Sequence, residues 1–276
     1  MDRIRLIASD MDATLLDEQS QLPADFEETI HALAELGIRF APASGRPLYT
    51  LEAMFPTLQD ELVFIGDNGG AIRWKGQNLF TSEMSPEGWR ALNRLTREQG
   101  DIAVLCGLES AYVERPFAVH DAVLRHFYTK IEYVDRLEDV AAPADKFTIY
   151  LPQHNAQQAY DTVYASQRSI YSVAVAGECW VDIMNPGVHK GAALQTLGQL
   201  WGLPSESMMA FGDTYNDSEM LQTVRYGFLM ENGTEPLRQK VPFLAPSHRE
   251  AGVMQVLHRV LAQNGCVCPE DFIPAH

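Results

Sequence analysis

The stretch "LIASDMDATLLD", Leu6–Asp17, decides the fold of this chain and contains three acids. It continues an apolar run, Ile4–Ser9, which predicts a buried strand. Asp10 and Asp12 follow where the apolar run stops. Burial of a carboxylate is costly unless a partner compensates for it. Two acids at the end of a core strand therefore indicate a site that uses them.

The whole chain has the composition of a soluble globular protein. Its 276 residues, 46% hydrophobic and 21% charged, suffice for one large or two small domains. The net charge of −16 argues against nucleic acid and anionic membrane surfaces as partners. No stretch reaches the roughly 18 apolar residues of a membrane span. The first apolar run is too short for a signal peptide, so a cytoplasmic location is predicted.

The two ends of the chain share a pattern that the middle lacks. Residues 1–82 and 187–276 alternate strand and helix patterns over short loops, which predicts a Rossmann-like, doubly wound parallel sheet. Leu62–Gly66 is a predicted strand of that sheet, and Ala71–Phe80 predicts a hairpin. Residues 83–186 instead predict several strands with about two helices. We therefore expect a discontinuous α/β core domain with an inserted α/β domain.

Polar residues follow the predicted strands and also open one helix. They are Asp10 and Asp12, Ser44 with Gly45 and Arg46, Asn68, Asp213 and, at the helix start, Lys190. Ligands of open parallel sheets bind at the carboxyl ends of the strands. Converging carboxylates repel each other, and Mg²⁺ with oxygen ligands resolves that repulsion. A hydroxyl and an ammonium suit phosphate oxygens, so the set predicts a phosphoryl-transfer site.

The two neighbouring acids suggest a division of labour. One carboxylate can attack phosphorus, as in aspartyl-phosphate chemistry. The other can protonate the departing oxygen and then deprotonate the attacking water.

Three of these residues, and Asp217 in "FGDTYND", also have purely structural interpretations. Asp12 could cap a turn, and Ser44 could cap the helix that follows it. Lys190 could be a solvated helix residue, and Asp217 could cap the helix of "SEMLQTV". The occurrence of all of them in this order favours the functional interpretation.

The motifs resemble those of the haloacid-dehalogenase superfamily of phosphohydrolases. "DMDAT", "APASGR", "GVHKGAAL" and "FGDTYNDSEML" are similar to its four motifs and occur in the same order. The insert between the second and third motifs is similar to the type IIB cap of the Cof-like subfamily. The resemblance implies a core domain of residues 1–82 and 187–276, with a cap domain of residues 83–186.

The resemblance also implies roles for individual residues. Asp10 would be the nucleophile, and Asp12 the general acid and base. Lys190 would neutralise the nucleophile and the phosphate. Asp10 and Asp213 would bind Mg²⁺, with Asp12 contributing its backbone carbonyl. Many relatives have glycine where this chain has Ala13, which predicts local strain if φ is positive there.

Further residues would hold the phosphate group. The resemblance implies that Ser44, Gly45 and Asn216 bind it together with Lys190, and that Asp217 supports the site from behind.

The expected activity is that of a Mg²⁺-dependent phosphatase of small phosphate monoesters, such as sugar phosphates, working through an aspartyl-phosphate. The alternatives are a phosphotransferase or phosphomutase with the same intermediate, and a phospho-acceptor like a receiver domain. The expected partner is a small phosphorylated molecule. Trp180, in the insert, could stack on a substrate ring or pack in the core.

Overall fold

The computed structural model describes residues 1–276 and contains two six-stranded sheets. The first, the core sheet, is parallel except for one edge strand. Its strands, in order across the sheet, are Ile273–Pro274, Phe243–Ala245, Tyr226–Met230, Met208–Gly212, Leu6–Ser9 and Arg39–Pro42. The predicted strand that leads to Asp10 therefore lies inside the sheet, and all four of its residues are buried.

Helices cover both faces of the core sheet, which confirms the doubly wound architecture. One face packs against Phe26–Glu35, Leu48–Ala53 and Gly252–Ala262. The other packs against Lys190–Trp201 and Ser218–Thr223. Both apolar layers exclude water from the sheet, and this burial supplies the main driving force for folding. No helix combines the length and the apolar character that crossing a bilayer would require.

A three-stranded antiparallel sheet extends one edge of the core sheet. Its strands are Val63–Gly66, Ala71–Trp74 and Gln77–Thr81. Lys75 and Gly76 form the predicted hairpin turn, and both have positive φ, as a type I′ turn requires. The first strand was expected in the parallel sheet, but it reaches that sheet only through one parallel bridge between Ala43 and Ile65. The other edge of this strand pairs with the strand Ala71–Trp74 of the hairpin.

The second six-stranded sheet, the cap sheet, is built entirely from residues between 102 and 184. Its strands, in order, are Ser172–Val175, Trp180–Met184, Ala144–Tyr150, Ile102–Gly107, Ala111–Glu114 and Ile131–Val134. The helices of this region are Pro86–Gln99, Asp121–Phe127 and Ala156–Asp161. The sequence pattern did not indicate the strand Ala111–Glu114 or the helix Asp121–Phe127. The boundaries of the two domains stay a prediction.

The chain enters and leaves the cap region at adjacent points. The side-chain amide of Asn185 donates hydrogen bonds to the carbonyl oxygens of Ser82, at 3.2 Å, and Glu83, at 2.8 Å. The two connecting segments are therefore held side by side.

Candidate active site

Three neighbouring strands of the core sheet deliver the predicted polar residues to one edge. Asp10 follows the strand Leu6–Ser9, and its backbone N–H donates to the carbonyl of Phe211 at 2.9 Å. Asp213 follows the strand on one side, and Ser44 lies just past the strand on the other. The parallel arrangement thus brings together residues that are far apart in the sequence.

Lys190 lies at the centre of the site and is completely buried. Its ammonium donates to a carboxylate oxygen of Asp10 and, at 2.7 Å, to one of Asp217. Burial alone would lower the pKa of Lys190, but these two carboxylates raise it above its ordinary value. The interpretation of Lys190 as a solvated helix residue is therefore wrong. The helix is capped by His189, whose Nδ1 accepts the N–H of Ala192 at 3.1 Å.

The carboxylate of Asp217 shapes the loop that presents Asp213. Its second oxygen accepts the backbone N–H groups of Asp213, at 3.0 Å, and Thr214, at 3.3 Å. A Cβ on Gly212 would come within 2.4 Å of the Asp217 Cβ, so only glycine permits this approach. The following helix, Ser218–Thr223, receives no hydrogen bond from the Asp217 side chain, so the helix-cap interpretation is wrong.

The donor set at this edge fits a divalent cation. Carboxylate oxygens of Asp10, Asp213 and Asp217 lie within 4.8 Å of one another. Burial and the neighbouring Asp217 raise the pKa of Asp10 well above its ordinary value and that of Asp213 to about 7. The oxygens of Asp217 are already engaged by Lys190 and the backbone, so Asp10 and Asp213 are the better candidate ligands. A hard cation would relieve their repulsion.

Asp12 is not part of this cluster, but it lines the same cavity, and its side chain is 57% exposed. The guanidinium of Arg46 donates to both of its carboxylate oxygens, at 2.8 and 3.1 Å. Asp12 is therefore held by an ion pair rather than capping a turn. Ala13, next along the chain, has φ of 59°, the strained conformation expected where relatives have glycine. No role was predicted for Arg46, although "SGR" places it directly beside the phosphate-binding residues.

Ser44 is buried, and its hydroxyl oxygen accepts the backbone N–H of Arg46 at 3.1 Å. It does not cap the next helix, which begins only at Leu48. Gly45 lies against Asn68, since a Cβ on Gly45 would be 3.2 Å from the Asn68 amide nitrogen. Asn68 in turn accepts a hydrogen bond from Asn216 at 3.4 Å. Three of the predicted phosphate-binding residues, Ser44, Gly45 and Asn216, therefore line one space, and the fourth, Lys190, contacts Asp10, which also lines it.

That space is a cavity of about 510 Å³ between the core and the cap. The catalytic candidates form one side of it. The other side is formed by cap residues, among them Phe127, Tyr128, Lys146, Trp180 and Asp182. Trp180 is nearly buried and packs 5.0 Å from Phe127 and 4.6 Å from Tyr150, between ring centroids, so it both packs and lines the cavity. The sequence offered no signal for the other cap residues.

Known proteins are similar to this chain in both sequence and fold. The family model for haloacid dehalogenase-like hydrolases matches residues 7–257. The 5-amino-6-(5-phospho-D-ribitylamino)uracil phosphatase YbjI of Escherichia coli is 31% identical over 94% of this chain and 96% of its own length. HMP-PP phosphatase of Cronobacter sakazakii is 31% identical over 87% of this chain and 89% of its own length. A crystal structure from Streptococcus mutans, 28% identical, superposes with a TM-score of 0.85 over 94% of this chain and 99% of that one.

Proposed function

The chain belongs to the haloacid dehalogenase-like hydrolase family and is a phosphoric monoester hydrolase, and from this we propose that it is a Mg²⁺-dependent phosphatase with an aspartyl-phosphate intermediate at Asp10. The observation that carries the proposal is the contact of buried Lys190 with Asp10, beside the carboxylate of Asp213. A lysine at that position stabilises a nucleophilic carboxylate and the phosphate charge together.

The chemistry divides into two displacements at phosphorus. A carboxylate oxygen of Asp10 attacks phosphorus, and the bond between phosphorus and the leaving-group oxygen breaks. Asp12 donates a proton to that oxygen. In the second step Asp12 takes a proton from water, which attacks phosphorus, and phosphate leaves with Asp10 restored. For these steps Asp12 must exchange one of its two contacts with Arg46 for the reacting oxygen.

The remaining residues bind and orient the phosphate. The Ser44 hydroxyl, the backbone at Gly45 and the Asn216 amide line the cavity, and the Lys190 ammonium contacts Asp10, which also lines it. Donors that are fixed before the reaction stabilise developing charge without reorganising.

Mg²⁺ would be held by the carboxylates of Asp10 and Asp213, with the backbone carbonyl of Asp12 as a further ligand. When bound, it would neutralise charge on the transferring phosphoryl group. Asp217 would keep the Asp213 loop in place through its two backbone contacts.

The cavity supports a small phosphorylated metabolite as substrate. Its volume of about 510 Å³ exceeds what a phosphate group needs, and its cap side combines aromatic rings with polar groups. A sugar or polyol phosphate that carries a flat ring matches this surface. The name of the Escherichia coli relative describes such a substrate, 5-amino-6-(5-phospho-D-ribitylamino)uracil, and that compound is the first one to test.

The test measures phosphate release from a panel of phosphorylated metabolites by the wild type and by Asp10→Asn. We expect release with Mg²⁺ and none after chelation. We expect Asp10→Asn to lose at least about 1,000-fold in activity, because an amide is a poor nucleophile. The control Asp60→Asn changes an exposed acid and should match the wild type. Retained activity in Asp10→Asn would contradict the covalent mechanism, and transfer only to an added acceptor would indicate a phosphotransferase.

A further inference from the structure

A second group of buried charges joins the cap sheet to the phosphate-binding loops. Lys146 and Asp182 come from two paired strands of the cap sheet, and Asp67 comes from the core. All three are at most 3% exposed. The phosphatase mechanism above uses none of them, although Lys146 and Asp182 line its cavity.

The ammonium of Lys146 contacts three groups of the protein. Its ammonium donates to the backbone carbonyl of Gly45 at 2.6 Å. It also lies 2.9 Å from a carboxylate oxygen of Asp67 and 3.5 Å from one of Asp182. The contacts with Gly45 and Asp182 are hydrogen bonds, and the contact with Asp67 is an ion pair. The ammonium of Lys146 therefore has three partners within the protein, although the residue lines the cavity.

The carbonyl of Gly45 belongs to the peptide unit that also carries the N–H of Arg46. That N–H donates to the hydroxyl oxygen of Ser44 at 3.1 Å. Because a peptide unit is planar, Lys146 at one end and Ser44 at the other fix its orientation. Since the Ser44 oxygen accepts this N–H, its own hydrogen stays available for an acceptor in the cavity.

Asp182 makes a parallel connection through Asn68. One oxygen of Asp182 accepts the Thr148 hydroxyl at 2.8 Å, and the other accepts the Asn68 amide at 3.2 Å. Asn68 packs on Gly45 and accepts a hydrogen bond from Asn216. The cap therefore touches two of the loops that face the phosphate.

We propose that Lys146, supported by Asp182, is a positioning residue: from the cap it holds the Gly45 peptide and thereby orients the Ser44 hydroxyl toward the substrate phosphate. Phosphate binding then depends on the position of the cap, whatever the leaving group. The proposal rests on the proposed role of Ser44 as a phosphate-binding residue. A buried ion pair by itself gives little net stability, so stability does not account for this arrangement.

The test compares Lys146→Met with the control Lys130→Met, which changes an exposed lysine of the cap. Two phosphate monoesters with unlike leaving groups, p-nitrophenyl phosphate and a hexose phosphate, are assayed with Mg²⁺, and inorganic phosphate is used as a competitive inhibitor. We expect Lys146→Met to lower kcat/KM by about 10- to 100-fold for both substrates and to weaken inhibition by phosphate. Lys130→Met should stay within about twofold of the wild type.

A double-mutant cycle identifies the route of the effect. If Lys146 acts through the Ser44 hydroxyl, Lys146→Met should have almost no further effect on kcat/KM in a Ser44→Ala background. Full additivity would overturn the proposal. So would a loss confined to one substrate, which would make Lys146 a leaving-group contact, or a lower Tm with unchanged kcat/KM, which would make it purely structural.

A second variant keeps the proposal testable if Lys146→Met does not fold. Asn68→Gly retains the left-handed backbone of Asn68, whose φ is 54°, and removes the side chain that joins Asp182 to the phosphate-binding loops. It should lower kcat/KM for both substrates and weaken inhibition by inorganic phosphate by similar factors. Unequal factors, or no effect at all, would count against the proposal. Failure of the phosphatase function is distinguishable, because the wild type would then release no phosphate at all.

Discussion

Two buried clusters in this molecule have the same composition, one lysine and three aspartates, but different uses. The first, the catalytic cluster, contains Lys190, Asp10, Asp213 and Asp217. The second, the junction cluster, contains Lys146, Asp67, Asp145 and Asp182. Both lie where the core sheet meets the cap, so neither composition nor burial separates them.

The direction of the carboxylate oxygens does separate them. In the catalytic cluster the three carboxylates converge within 4.8 Å, and Asp213 accepts only a long contact, 3.5 Å, from Thr14. In the junction cluster Asp182 is bonded on both oxygens. Asp145 protrudes where the register of its strand shifts, and it faces Asp67. Only the catalytic cluster brings three carboxylates close enough together to share one cation.

The largest expected effect comes from removing each lysine. Lys190→Met and Lys146→Met should each lower the free energy of unfolding by about 3–5 kcal/mol, because each leaves buried carboxylates without a cation. Mg²⁺ should narrow the difference from wild type for Lys190→Met, since it can replace the missing charge there. It should leave the difference for Lys146→Met unchanged. Urea denaturation with and without MgCl₂ measures both.

If Mg²⁺ changed the free energy of unfolding of the two lysine variants equally, the contrast between the two clusters would be wrong. Such a result would mean either that the catalytic cluster does not bind the ion or that the junction cluster binds it as well.

A middle-sized effect is expected from the pH dependence of the junction cluster. Burial, then the nearby Asp67, raises the pKa of Asp145 well above its ordinary value of 3.8. At a pH between the ordinary pKa and the raised pKa, Asp145 keeps a proton in the folded protein that it has lost in the unfolded chain. The free energy of unfolding therefore falls as pH rises through this range. Asp145→Asn keeps a neutral group that can donate to Asp67, and it should make this fall shallower.

The measurement is the free energy of unfolding from pH 4 upward. The control Asp135→Asn changes an acid whose side chain is 87% exposed and should leave the slope unchanged. The same slope in Asp145→Asn as in the wild type would show that the carboxyl group of Asp145 carries no such proton.

The smallest effect concerns the backbone just after Asp10, a member of the catalytic cluster. Ala13 has φ of 59°, where an L-residue other than glycine is strained by about 1 kcal/mol. Ala13→Gly should therefore raise the free energy of unfolding by about 0.5 kcal/mol after the greater flexibility of the unfolded chain is subtracted. The same change at Ala34, exposed in the helix Phe26–Glu35, should lower it by about 1 kcal/mol. Thermal unfolding of both variants measures the direction of each change in stability. A loss of stability in both variants would contradict the strain at Ala13.

The sequence predicted the core of the site well because strand ends share one edge of a parallel sheet. Asp10, Ser44 and Asp213 could be placed together from the apolar runs before them, and the structure brings them together. Lys190 was singled out as an ammonium at a predicted helix start that suits phosphate oxygens, and the resemblance then implied its contact with the nucleophile. The roles assigned to these residues stay proposals.

The junction cluster could not be predicted, for a physical reason. Lys146 and Asp182 interrupt apolar strands of the cap, and in a sequence such residues look like solvent-facing positions. Asn68, which donates to Asp182, lies 114 residues from it in the chain. The pair of Asp12 and Arg46 was missed for a similar reason, since it depends on where two loop side chains point.

The contacts of Asn185 with Ser82 and Glu83 have a further consequence. Because the two ends of the inserted segment are tied together, the whole insert joins the core at one place. A different inserted module whose ends lie equally close could replace this one without parting the strands beneath. Such a replacement would leave the strands that lead to Asp10, Ser44 and Asp213 unchanged.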